Sequence, residues 1–378
     1  MMTDFYTKLT QIRHYLHQHP EVSEEEIATT AFLRDQLTQL GIRILDLPLK
    51  TGLVAEIGQG LPIIALRADI DALPIVEKTA LPYASQNQAM HACGHDMHMT
   101  SLLGAAQLLH QNEKDLKGTV RLIFQPAEEV SKGAYSVIAA GGLDGVSAII
   151  GYHNMPQLPV GTIGLRSKAI MAGVEKFRVT VTGDSSHAAK PEMGVDAVLT
   201  ITSMVNNLQT IVSRTVSAFD QAVLSVTHIS VGSTWNVLPK EGFFEGTIRT
   251  FTPALKAHLR ERFTTIVETT AAQFGATAHI DWAQTPSVTY NDEVLTPLLM
   301  ENSSAFAPVM EVDPMSIGED FAAYQEEIPG VFAFIGSNGD PDAPDLHSDQ
   351  FILSDDMLPT AVTYYVESAL MLLDYLGN

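Results

Sequence analysis

Pro62-Ile-Ile-Ala-Leu-Arg-Ala-Asp-Ile-Asp-Ala-Leu-Pro74 is a nearly continuous apolar run that closes on two acids, Asp69 and Asp71. An apolar run of this length without alternation predicts a strand buried on both faces, as in parallel sheets covered by helices. A shorter strand over 52–57 precedes it. Further back, Phe5, Leu9, Ile12 and Leu16 recur at helical spacing and predict a helix over 4–18. Its histidines His14, His17 and His19 read as a polar or half-buried helix face. In Ser23-Glu-Glu-Glu26, Ser23 is placed to cap a second helix and Glu26 to close a capping box, with Gly41 as the stop. Downstream come a helix over 97–110, a strand over 118–125, a helix over 131–140 and a strand over 147–152. This alternation predicts a largely parallel sheet with helices on both faces.

From about residue 172 the rhythm changes. Strand 175–182, helix 195–213, strands 222–231 and 242–250, helix 253–274 and strand 277–282 read β-α-β-β-α-β, a ferredoxin-like unit. It interrupts the first pattern, which resumes with a helix over 294–307, a strand over 331–335 and a closing helix over 359–376. The expected fold is therefore an α/β domain formed by residues 1–171 and 285–378, carrying an inserted α+β domain at 172–284.

Chemistry-bearing residues collect at predicted strand ends. Asp69 and Asp71 follow one strand, Glu128 and Glu129 of Pro126-Ala-Glu-Glu129 follow the next, and His153 ends a third. A Gly/Asp/Pro-rich loop, 336–346, leads from a fourth to His347. The carboxyl edge of such a sheet is where ligands bind. Between the first two strands lies Met90-His-Ala-Cys-Gly-His-Asp-Met-His-Met-Thr100, which holds the only cysteine, Cys93, and His91, His95 and His98. Without a second cysteine it cannot be a zinc ribbon, so any metal here draws ligands from elsewhere. Cys93, His95, Glu128 or Glu129, His153 and His347 exceed what one four-coordinate ion needs and suit two. Two divalent ions bring more positive charge than one thiolate and one carboxylate remove, which favours an anionic substrate. Thiolate and imidazole point to zinc, nickel, iron or manganese over magnesium or calcium. Of the adjacent acids, one is free to move protons.

Composition narrows the class. The 378 residues carry 22 basic and 44 acidic side chains, a net charge of −22, which argues against nucleic acid or an anionic membrane as partner. One cysteine excludes an internal disulfide framework and fits a reducing compartment. The first residues lack a signal-peptide pattern and no apolar run approaches 18 residues, so a soluble cytoplasmic protein is expected.

His91-Ala-Cys-Gly-His-Asp96, Gln125-Pro-Ala-Glu-Glu129, His153, Ser186-His-Ala-Ala-Lys-Pro191 and Gly246-Thr-Ile-Arg-Thr250 together resemble the metallo-aminoacylase family of amidohydrolases. That group includes hippurate hydrolases, indole-acetyl-amino-acid hydrolases and N-acetyl-diaminopimelate deacetylases. The resemblance runs across essentially the whole chain. It implies a metallopeptidase-like catalytic domain with an inserted lid domain, through which a homodimer would form. It implies Cys93, His95, Glu129, His153 and His347 as ligands of two divalent ions (zinc, manganese or nickel), and Glu128 as general base. Asp71 matches an acid that orients a metal ligand, and Asp69 and Asp96 are expected to support the ligands too. His187 matches a histidine that polarises the scissile carbonyl, within the subunit or across a dimer. Asn236 and Arg249 match positions that hold a substrate carboxylate. The implied activity is hydrolysis of the amide bond of small N-acyl amino acids. Alternatives are a metallo-dipeptidase or carboxypeptidase, an amidase with Cys93 as nucleophile and His95 or His153 as base, and a non-catalytic binding protein.

Overall fold

A computed structural model describes residues 2–377. The chain divides into two compact units, one of residues 1–170, 289–314 and 320–378, the other of residues 171–288 and 315–319. The segment 315–319, which the sequence pattern places with the resumed α/β unit, belongs by its contacts to the second.

The first unit is built on an eight-stranded mixed sheet. Its spatial order is Arg43–Ile44, Leu53–Gly58, Thr119–Gln125, Ile63–Asp69, Val146–Pro159, Gly330–Asn338, Ile163–Leu165 and Val309–Glu311. The four central strands run parallel to one another. Ile64, Leu66, Leu122, Ile150 and Val331 on these strands are fully buried. Each contributes about 1.5–3 kcal/mol relative to an exposed position. Helices Met2–Gln18 and Leu358–Leu376 pack against helix His95–Gln111, which itself lies on the sheet.

Register explains the placement of the acids. Asp69 pairs with Gln125, and Arg67 with Gly151, two residues before His153, so these groups share one sheet edge. His153 is not at a strand end as the apolar pattern suggested. Its strand continues to Pro159 because Gly330–Asn338 supplies a parallel partner along that length.

Two local expectations fail. Helix Ile27–Leu40 does end at Gly41, but no side chain of Glu26 or Ser23 caps it; the Glu21 carboxylate accepts from the N–H groups of Ala28 and Thr29 instead. Ser23 and Glu26 turn inward. His17, expected on a half-buried face, is buried, and its ring bonds Asp96 at 2.9 Å and Glu77 at 3.2 Å. Arg13 joins the same Asp96 oxygen at 3.1 Å. Burial opposes a charged His17, yet Asp96 and Glu77 raise its pKa to about 9.

The second unit is a four-stranded antiparallel sheet ordered Ala222–Val231, Glu241–Thr250, Gly173–Thr182, Thr277–Trp282. Helices Ala197–Leu208 and Pro253–Phe274 cover one face, closing a core around Phe177, Phe244, Phe263 and Ile201. This is the ferredoxin-like arrangement predicted from the β-α-β-β-α-β pattern. No helix of the described residues is long and apolar enough to cross a membrane.

Candidate active site

Cys93 and His95 sit at the start of helix His95–Gln111, separated by Gly94 at φ +86°. A Cβ on Gly94 would stand 2.2 Å from Asn154 Nδ2, so only glycine admits this approach. Asn154 Nδ2 donates to the Cys93 carbonyl at 2.5 Å, tying the turn to the strand that carries His153.

The imidazoles are oriented alike. His95 Nδ1 donates to the Asp71 carbonyl at 2.9 Å, and His153 Nδ1 to the Asn154 carbonyl at 2.7 Å. Both rings therefore present Nε2. Cys93 Sγ lies 3.3 Å from His153 Nε2 and 3.4 Å from His347 Nε2. His347 Nε2 is also 3.4 Å from Glu129 Oε2, while His95 Nε2 is 4.0 Å from Glu129 Oε1. His347, at φ +66°, is fixed by its N–H on the Ala92 carbonyl at 2.9 Å. The donor atoms of Cys93, His95 and His153 form one close group, and those of Cys93, Glu129 and His347 a second. His95, Glu128 and Glu129 form a further group, all their donor atoms lying within 4.8 Å of one another.

This donor set fits divalent cations. Nε2 of His95 and Oε1 of Glu129 are buried with no hydrogen-bond partner, although both are strong ligand atoms. Burial opposes a charged His95, yet Asp69 and Asp71 raise it to about 10, so a proton supplies the positive charge these acids demand. Burial, then Glu129, Glu128 and Asp69, push the Cys93 thiol well above its usual range. Burial also pushes Glu129 up. A cation would relieve all three at once.

The supporting groups are more numerous than expected. Asp71 Oδ1 lies 3.4 Å from His95 Nδ1, and its Oδ2 accepts from Ser23 Oγ at 2.6 Å and from the Glu129 N–H at 3.0 Å. Asp69 accepts from His98 Nδ1 at 2.6 Å and from Arg67 at 2.6 Å. His98 Nε2 in turn accepts the Asn154 N–H at 3.0 Å. Arg67 also reaches Gln125 and Asp320, each at 2.8 Å. Arg67 was detectable as a charge inside an apolar run and His98 as a member of the histidine cluster around Cys93, whereas Asp320 and Asn154 carry no local signal. Asp96, expected beside the ligands, instead faces Arg13 and His17 on the N-terminal helix.

His187, Asn236 and Arg249 belong to the second unit. His187 pairs with Val237 in a two-stranded ribbon, and the Asn236 carbonyl accepts the Ala188 N–H at 3.1 Å. His187 is exposed and its Nδ1 accepts the Ala189 N–H at 3.1 Å, so the neutral ring carries its proton on Nε2 as a donor. Arg249 bonds the Ser316 carbonyl at 3.1 Å and the Thr247 hydroxyl, and burial lowers its pKa.

Sequence comparison matches residues 65–370 to the profile of Peptidase family M20/M25/M40. An N-acetyl-L-cysteine deacetylase of Bacillus subtilis (strain 168) is 46% identical over 372 residues, covering 97% of this chain and 88% of that protein. An IAA-amino acid hydrolase of Arabidopsis thaliana is 36% identical, covering 94% and 84%. Among solved structures, a dinuclear metal binding peptidase of the M20 family from Bacillus subtilis matches with a TM-score of 0.87 at 40% identity, covering 98% of this chain and 99% of that one.

Proposed function

Because the chain belongs to peptidase family M20/M25/M40, we propose that it is a metal-dependent amidohydrolase acting on small N-acyl amino acids. It would release a carboxylic acid and a free amino acid. The observation that carries this reading is the convergence of Cys93, His95, Glu129, His153 and His347, with Glu128 beside them. The names of the deacetylase and the plant hydrolase support the substrate class.

The five converging side chains would hold two divalent ions, with zinc, manganese or nickel as candidates. When bound, such ions polarise an acyl carbonyl and lower the pKa of water. The chain's own groups do the rest. Glu128, whose Oε1 accepts the Asp320 N–H at 3.4 Å, takes a proton from the attacking water and returns it to the leaving amine. Asp71 fixes the His95 ring. His187 donates from Nε2 to the developing oxyanion, and Asn236 and Arg249 hold the substrate carboxylate. A cytoplasmic location and a homodimer formed through the inserted domain complete the proposal. Cys93 is unsuited to nucleophilic attack, since burial and its acidic neighbours disfavour the thiolate.

The test is amine release by metal-stripped protein from N-acetyl, hippuryl and succinyl amino acids, with dipeptides as controls, before and after adding zinc or manganese. Metal-dependent release from one acyl class supports the reading. Release from dipeptides alone would transfer the protein to the peptidase alternative. Glu128→Gln should keep its metal and lose roughly 10²–10⁴ in turnover; near-normal turnover would remove Glu128 as the base.

A further inference from the structure

Glu128 and Glu129 are sequence neighbours, yet both bring a carboxylate oxygen into one group with a ring nitrogen of His95. Adjacent side chains on a strand point to opposite faces, and on a helix they diverge by about 100°. Regular backbone therefore does not deliver both acids to one place. Here the strand Thr119–Gln125 ends and Ala127 adopts φ +53°, a left-handed conformation unfavourable for a residue with a Cβ. It takes the chain off the strand line into a turn closed by the Ser131 N–H on the Glu128 carbonyl at 2.7 Å.

Something must hold Ala127 there. On its far side, the N–H groups of Lys132 and Gly133 donate to the Ala127 carbonyl at 3.2 and 3.1 Å. Gly133 is required, since a Cβ would stand 1.6 Å from the Pro126 carbonyl. On its near side, the Ala127 N–H donates to Glu26 Oε1 at 2.8 Å. Glu26 is fully buried, 101 residues away in sequence, and stands at the N-cap of its own helix without capping it. Three residues earlier, Ser23 Oγ holds the Asp71 oxygen that accepts the Glu129 N–H. The segment thus grips the backbone on both sides of Glu128. A buried acid diverted from a local role it could fill is expected to act elsewhere.

We propose that Glu26 is a positioning residue: by clamping the left-handed turn at Ala127 it makes Glu128 and Glu129 converge on His95. The inference rests on the functional reading above for the roles of those acids. It is separable from that reading, because one arm of its test needs no substrate.

The experiment measures zinc affinity by competition with a chromophoric chelator, and kcat and KM at saturating metal. The variants are Glu26→Leu, Glu26→Gln, Ala127→Val and the double variant Glu26→Leu/Ala127→Gly, with folding checked by circular dichroism. Glu26→Leu should weaken zinc binding about 10–100-fold, the range for groups that support metal ligands. It should also lower kcat more than it raises KM. Glu26→Gln keeps an acceptor for the Ala127 N–H and should stay within about threefold of the parent in both readouts. Glycine carries no penalty at positive φ, so the double variant should recover at least about tenfold over Glu26→Leu in zinc affinity. Ala127→Val leaves Glu26 in place but resists the left-handed conformation, and should reproduce the paired loss even if Glu26→Leu does not fold. A folded Glu26→Leu with zinc affinity and kcat within threefold of the parent overturns the proposal. So does a double variant no better than Glu26→Leu, or an Ala127→Val that binds zinc normally. If the parent hydrolyses none of the N-acyl substrates, the functional reading falls while the zinc arm still decides this inference.

Discussion

Arg67→Met should be among the most damaging single changes in the first unit. The guanidinium is fully buried and donates to Gln125 Oε1 at 2.8 Å, Asp69 Oδ2 at 2.6 Å and Asp320 Oδ1 at 2.8 Å. Methionine fills similar space but strands two carboxylates that are themselves fully buried. Removing one partner of a buried pair costs about 3–5 kcal/mol, because the other charge is left uncompensated. Asp69 keeps His98 Nδ1 at 2.6 Å and Asp320 keeps the Ala134 N–H at 3.0 Å, which holds the loss within that range rather than doubling it. At roughly 2–4 °C per kcal/mol for a unit of this size, the thermal midpoint should fall by roughly 6–20 °C. The pH dependence follows from Asp69. Burial opposes its charge, but His95, Arg67 and His98 hold its pKa well below the ordinary value. Its stabilising contribution is therefore present above the unfolded aspartate pKa and lost only as pH falls through the lower folded value. Without Arg67 a stranded carboxylate takes up a proton closer to neutrality, so the penalty should shrink from pH 7 towards pH 5. Calorimetry and urea unfolding of metal-stripped protein measure both effects, and Arg67→Met/Asp320→Asn should regain part of the loss. A cost below about 1 kcal/mol at pH 7, against the 3–5 expected, would refute the reasoning; so would a penalty that does not change with pH.

Three further outcomes are expected. His17 has a folded pKa of about 9 against an ordinary 6.5, so its contribution is complete below pH 6.5 and disappears as pH rises through 9. The unfolding free energy of the parent, measured in urea, should lose on the order of 3 kcal/mol from this group across that interval, and His17→Gln should flatten the dependence. Phe177→Ala removes a buried ring packed against Phe244, Phe263 and Trp282, and should cost about 3–5 kcal/mol. Both tryptophans, Trp235 and Trp282, lie in the second unit, so tryptophan emission should show that transition moving to lower urea. Cys93 Sγ takes part in two of the donor groups and His347 in one. Cys93→Ala should therefore weaken binding of both ions by equilibrium dialysis, whereas His347→Ala should weaken chiefly one.

The sheet and the inserted unit were legible because burial writes itself into local pattern. An unbroken apolar run marks Ile63–Asp69 as covered on both faces, and alternation marks Gly173–Thr182 as covered on one. The converging residues were legible for a related reason: strands of one direction end at one edge, so Asp69, Glu128 and Glu129 are gathered there by topology alone. His153 was found from the same logic but with the wrong strand end, because the extension to Pro159 depends on a partner strand more than 170 residues away. The same limit hid Glu26. Ser23-Glu-Glu-Glu26 has the composition of a capping box whether its side chains cap or reach inward, and the choice is made by Ala127 and Asp71. Local sequence reports what a segment does with its own neighbours. It is silent where a residue gives up that local partner for a distant one, and Ser23, Glu26 and Asp320, which help hold this site in shape, are bonded to residues far away in the chain. The donor atoms could thus be read from the sequence, while the clamps that aim them required the fold.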